Sequence, residues 1–122
     1  MAAPNLVNVT SIYGKTMGAA LGTSADTDIL TCASNKVLKI NSIIVSNVDG
    51  TNSADGTVNF YDSSATARYA ICNTVTVPAD STLIVIGKDS PIYLEEGDQI
   101  EAGASASGDL QIIISYEELD DA

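Results

Sequence analysis

Short runs of apolar residues fill this chain, many alternating with polar ones, and each run stops at a cluster of Gly, Pro, Asn, Asp or Ser. A period of two with this density of Val and Ile predicts β-strands rather than helices. Residues 5–13, with Leu6, Val7, Val9 and Ile12, predict an extended N-terminal strand that breaks at Gly14 and Lys15. Thr16 to Leu21 is rich in small residues and reads as a short strand or an irregular arm. Asp28 to Ala33 predicts a further strand, closed by a Ser34-Asn35-Lys36 turn. The strongest strand is Val37 to Val48. There Leu38, Ile40 and Ile44 share one parity, while Ile43 and Val45 take the other. A mid-strand change of apolar parity means burial on both faces or a β-bulge, here near Ser42.

Downstream, the polar stretch Asp49 to Gly56 predicts a long hairpin loop. Val58 and Phe60 then point one way, Asn59 and Tyr61 the other. Arg68 to Val77 predicts another strand or pair, closed by a turn at Pro78-Ala79-Asp80-Ser81. Thr82–Ile86, Ile92–Leu94 and Gln99–Ala102 follow as short strands, divided by turns at Gly87–Ser90 and Glu95–Asp98. A flexible loop over Gly103–Asp109 leads to the last strand, Leu110–Tyr116, in which Leu110, Ile112, Ile114 and Tyr116 share a face. About eight to ten short strands without an amphipathic helix predict an all-β protein, a single antiparallel β-sandwich of jelly-roll or immunoglobulin-like kind. Strand order is not encoded in periodicity, so both connectivities stay open. Residues 1–122 read as one domain, with a short N-terminal arm and an acidic C-terminal tail.

Composition sharpens the picture. The chain has no His and no Trp, and 5% of its residues are aromatic, so the core is aliphatic. Five basic against sixteen acidic residues give a net charge of −11. Such a surface repels phosphate backbones and argues against nucleic-acid binding. Glu117, Glu118, Asp120 and Asp121 crowd the C-terminus and are expected to form a solvated, frayed end. Met1 to Pro4 lack a basic region, and no apolar stretch reaches the length of a membrane span. A soluble protein made in a cytoplasm, without membrane contact, is the expectation. Cys32 and Cys72 have no CxxC spacing; they are expected to be small buried hydrophobes, and their spacing leaves open whether they pair.

Candidate chemistry is sparse. Without His, a Ser nucleophile has no usual base, and no GxSxG elbow is present. Glu95, Glu96, Asp98 and Glu101 cluster around a turn glycine, whereas a glycosidase needs two carboxylates across a cleft with aromatic platforms. Gly14-Lys15-Thr16 resembles the end of a phosphate-binding loop but lacks the upstream glycine. In Asp49–Phe60, Thr51 and Ser53 stand where a calcium loop wants Asp or Asn; Ala54 replaces the turn glycine, and Phe60 replaces the bidentate Glu. Asn8-Val9-Thr10 matches a glycosylation sequon, without an export signal to give it meaning. Tyr13, Tyr61, Tyr69, Tyr93 and Tyr116 read as strand and interface residues. No enzyme activity, cofactor or metal is expected.

Four motifs carry a resemblance. They are the "I-x-x-I-x-V-x-N" strand of Ile40–Asn47, the "V-P-A" turn of Val77–Ala79, the "L-x-x-G-D-x-I" turn of Leu94–Ile100, and the closing "S-Y-E-E" of Ser115–Glu118. Together, from about Asn5 to Glu118, the chain resembles small β-rich virion structural proteins of tailed bacteriophages, notably phages of marine cyanobacteria. The resemblance implies a capsid decoration (cement) protein that binds the major capsid protein or another virion protein. It implies a homo-oligomer, of which a trimer is one form, and a place in the virion after synthesis in the bacterial cytoplasm. A tail, neck or fibre module of the same virion is the alternative, and a carbohydrate- or receptor-binding sandwich a third. The uncharged segment Ala2–Ile12 is the candidate arm that adds a strand to a neighbour, with Asn5, Leu6, Val7, Val9, Ile12 and Tyr13 as interface residues. An edge strand of its own sandwich is the plainer role for the same residues. Thr16–Leu21 is a second candidate contact.

Overall fold

The structure, a computed structural model, describes residues 10–120. Among these residues nine strands form: β1 (Ile12–Ala20), β2 (Asp28–Thr31), β3 (Lys36–Asn47), β4 (Ala54–Asp62), β5 (Ala67–Val77), β6 (Thr82–Ile86), β7 (Ile92–Leu94), β8 (Gln99–Ala104) and β9 (Leu110–Asp120). They make two antiparallel sheets packed face to face. One has the order β1-β9-β3-β6, with β7 also on β3; the other has the order β2-β8-β4-β5. Residues 46 to 43 of β3 meet β6, and residues 40 to 38 meet β7. β6 and β7 are therefore one strand interrupted at Gly87–Pro91. Counted so, eight strands are shared between the sheets in jelly-roll order, with β4 and β5 the one consecutive pair in the same sheet, and the connectivity left open by periodicity is decided.

The predicted parity change in β3 is a bulge. Ile40 pairs with Tyr116 and Ser42 with Ser115, so Asn41 is the extra residue. Before it Leu38 and Ile40 face inward; after it Ile43, Val45 and Asn47 do, all of them buried. Ile44, grouped by simple parity with Leu38 and Ile40, is turned to the outer side. Opposite β3 lie the inward Leu110, Ile112 and Ile114 of β9, each fully buried. The second sheet answers with Val58, Ile100, Ala102 and Ala104. The sheets come close where β4 carries Gly56: a Cβ there would sit 3.2 Å from Leu110 Cδ1.

Apart from the β4–β5 hairpin, the connections cross between sheets, and polar side chains hold them. Asp49–Ser53 is a crossing from β3 to β4, not the predicted hairpin loop, since those strands lie in different sheets. Buried Asn47 donates to the carbonyls of Val77 (2.9 Å) and Asn52 (3.0 Å) and accepts from the Asp49 N–H. Asp49 accepts from the N–H groups of Thr51 (2.8 Å) and Asn52 (3.2 Å), which hold its carboxyl below the ordinary 3.8. From β7 to β8 the chain turns at Gly97, whose φ is +87°, and buried Asp98 accepts from the N–H groups of Glu95 and Ser63. Between β1 and β2 the chain passes over Gly103, where a Cβ would lie 2.6 Å from the Ser24 carbonyl.

Several expectations are corrected. No break occurs at Gly14-Lys15: β1 runs through both, because β9 offers an unbroken ladder from Leu119 to Gln111. Thr16–Ala20 is therefore the second half of β1 rather than a separate arm. Residues 5–9 of the predicted first strand lie outside the described residues, and Thr10 and Ser11 precede β1. Arg68–Val77 belongs to one strand, and β8 reaches Ala104, beyond the expected loop start at Gly103. Glu117, Glu118 and Asp120 are not a frayed tail. They are rungs of β9: Lys39 pairs opposite Glu117, Lys15 bonds Glu118 at 3.2 Å, and Lys36 bonds Asp120.

Two stability outcomes follow from this packing. Ile112→Ala should cost about 3 kcal/mol in denaturant unfolding, as for other buried aliphatic truncations. Gly103→Ala should cost about 1–3 kcal/mol because the Ser24 backbone has to move. Asp49 also sets an acid limit. Its folded pKa lies below its unfolded value, so its contribution is present above about pH 4 and lost as pH falls through the folded value. Asp49→Asn should flatten the pH dependence of the melting temperature below pH 4 relative to the parent chain.

Candidate interaction surface

Of the interface residues expected from sequence, Asn5, Leu6, Val7 and Val9 lie outside the described residues. Ile12 and Tyr13 open β1 and are 58% and 50% exposed. Their side chains do not share a face. Ile12 stands in the rung Ile12–Leu119–Val37 on the outer side of the sheet, and Tyr13 in the rung Tyr13–Glu118–Leu38 on the opposite side. What they share is an edge. β1 pairs with β9 along nine residues, and among the described residues no strand pairs its other side. Lys15 is its one charged residue, and it holds no proline, so its free N–H and C=O row suits a further strand. The P-loop-like Gly14-Lys15-Thr16 is part of this extended strand and forms no loop.

Of the four acidic residues weighed as catalytic candidates, Asp98 and Glu101 do structural work, and Glu96 accepts from the Asn35 N–H at 3.3 Å. Asp98 caps the β7–β8 turn as described. Glu101, 3% exposed, accepts from Arg68 Nε at 2.8 Å and Nη2 at 3.3 Å. The guanidinium also stands 5.3 Å from the Tyr61 ring centroid and 3.4 Å from Asp26. The Glu101 hydrogen bond, first of all, raises the pKa of Arg68. Among the described residues, no three His, Cys, Asp or Glu side chains are grouped to hold a metal, and no helix is long and apolar enough to cross a membrane.

Between the edges of β5 and β7 lies an open cleft of about 280 Å³, lined by Phe60, Tyr69, Ala70, Ile71, Ile92 and Tyr93. Tyr69 and Tyr93 flank it, exposed by 58% and 45%. It is an apolar wedge between the sheets.

Sequence reasoning missed Ile84 and Ile113, which are 67% and 45% exposed on the outer side of the first sheet. The triplet Ile112-Ile113-Ile114 held the signal for Ile113, since a strand cannot turn three successive residues to one core. The run Leu83-Ile84-Val85-Ile86 held the same signal for Ile84, without saying which of its residues stay outside.

Both cysteines are free thiols, and burial differs from the expectation that both are enclosed: Cys32 is buried and Cys72 half-buried. Loss of solvent pushes Cys32 up to about 11 and raises Cys72 as well.

No family model matches the sequence, and no curated protein matches it. Solved structures do. A protein of Bacillus endospore appendages, from a family of disulfide-linked pili, is 15% identical, with 92% of this chain and 90% of that chain covered and a TM-score of 0.52. A virus-like particle of the extra small virus of the giant freshwater prawn Macrobrachium rosenbergii is 12% identical. It covers 98% of this chain and 88% of its own, with a TM-score of 0.43. The first likeness is one of fold: an antiparallel β-sandwich.

Thiol labelling at pH 8 checks the burial. In the native chain Cys72 should react at least about tenfold faster than Cys32, which should label on unfolding. Equal rates in Cys32→Ser and Cys72→Ser variants would contradict the packing around Cys32.

Proposed function

We propose that this chain is a structural protein of a bacteriophage virion, made in the host cytoplasm and bound as a decoration protein to the outer surface of the major capsid protein shell. The observation that carries this reading is the jelly-roll strand order, an architecture recurrent in viral capsid domains, built on the motif residues themselves. Ile40, Ile43, Val45 and Asn47 of the first motif all face inward, and Leu94, Gly97, Asp98 and Ile100 of the third make a core-to-turn-to-core corner. These are the residues through which the chain resembles tailed-phage virion proteins.

Chemistry supports the same reading. Of the four carboxylates weighed as catalytic candidates, Asp98 is engaged in a turn and Glu101 in an ion pair, which supports a role by contact. A net charge of −11 suits the outside of a shell, away from packaged DNA. The protein acts by contact. The open edge of β1, continued by the uncharged residues 2–11, is the part that reaches the capsid protein or a neighbouring copy. Many copies per particle make modest contacts sufficient, since their burial adds up against internal pressure.

Quantifying the chain against the major capsid protein in purified particles tests this. A copy number on the scale of the capsid subunits is expected. A number on the scale of the tail components would move the protein to the tail, neck or fibre, and absence from particles would end the virion reading. Removing residues 2–9 keeps β1 and the backbone bonds of Thr10 and Ser11 to Asp120, and should weaken particle binding by about tenfold or more at an unchanged melting temperature. Undiminished binding would take the arm out of the interface.

A further inference from the structure

We propose that the outer face of the sheet β1-β9-β3-β6 is a two-fold interface that binds a second copy of this chain. The pairing is independent of the virion reading. Its centre is one rung of the ladder, running from Gly18 through Ile113 and Ile44 to Ile84. Rungs of small polar residues flank it: Thr16–Ser115–Ser42 on one side, Ala20–Gln111–Ser46–Thr82 on the other. Isoleucines exposed by 45% on the inner strand β9 and by 67% on the edge strand β6 are a burial left unmade.

Charge points to the occupant. On the rungs from Ile12 to Ala20 the outer face carries two charged residues, Lys39 and Glu117, and these stand opposite each other. The face is therefore neutral on a chain of −11. A basic partner would be drawn to the acids elsewhere, whereas two equally acidic bodies can approach through the surface that carries no net charge.

Shape points the same way. At one end of the central rung Ile84 projects. At the other, glycine leaves a shallow hollow of about 350 Å³ lined by Gly18, Ala19, Ala20, Gln111, Ile112 and Ile113. A two-fold axis parallel to the strands, passing between β9 and β3, reverses the strand order of the second copy. It lays Ile84 of each chain over Gly18 of the other and Ile113 over Ile44. One operation fills both hollows, which is the self-complementarity an isologous interface requires. Val37 and Leu119 on the outermost rung are already covered, so four strands about 4.8 Å apart over about seven residues present about 450 Å² per copy. That is the size of a weak, reversible interface. The geometry thus favours two copies per contact where the resemblance implies a trimer.

Light scattering on the full chain over a concentration series should give twice the 12.6 kDa chain mass, with association undiminished by added salt. Ile84→Glu, at a solvent-facing position, should leave the circular-dichroism spectrum unchanged and weaken association by about 100-fold or more. Gly18→Leu should weaken it by filling the hollow; a Cβ at Gly18 meets nothing nearer than 3.5 Å, so the fold accepts it. In a Cys72→Ser background, Gly18→Cys with Ile84→Cys should form a covalent dimer on oxidation, while each alone should not. Within one chain the two sites are about 14 Å apart, beyond disulfide reach. A monomeric parent chain overturns the proposal. So does association that survives both face variants, or that is lost on removing residues 1–9 but not in the face variants.

Discussion

One extra residue, Asn41, controls which side of the first sheet is dry. Its bulge shifts β3 by one position against β9, so that Ile40 and Ile43, three apart, both face the core. A regular strand would have put Ile43, Val45 and Asn47 on the outer side and Ile44 inside. The bulge therefore does two things together. It completes the inner layer against Leu110, Ile112 and Ile114, and it places Ile44 between Ile113 and Ile84 on the outer face.

The same shift delivers Asn47 to the end of the core, where it ties the β3–β4 crossing to the end of β5. Crossings of this kind define the jelly roll and are its weak points, because each carries backbone groups away from the ladders. Asn47, Asp49 and Asp98 satisfy those groups with short side chains. Of the acidic residues most suggestive of chemistry in the sequence, Asp98 holds a turn and Glu101 an ion pair with Arg68. Those roles direct attention outward, to the β1 edge and the isoleucine rung, where surface capable of contact remains.

Much of this was legible in the residues. Alternation located the strands to within a few positions, and the mixed parity of Leu38–Val45 allowed burial on both faces or a bulge, of which the register with β9 takes the second. Misreadings have identifiable causes. Gly14 and Lys15 look like a break, yet a nine-rung ladder with β9 overrides local propensity. Glu117, Glu118 and Asp120 look like a solvated tail, yet lysines from β1 and β3 lie against them.

By itself, then, the sequence determined the local material: β-strands from period-two burial, turns from Gly97, Pro78 and Asp98, an aliphatic core, and a strongly negative exterior. Tertiary structure decided the order of those strands, the partner of each acid, and which isoleucines stay wet. The reason is that alternation says a residue has an inside and an outside, but which neighbour lies on either side depends on strands far apart in the chain.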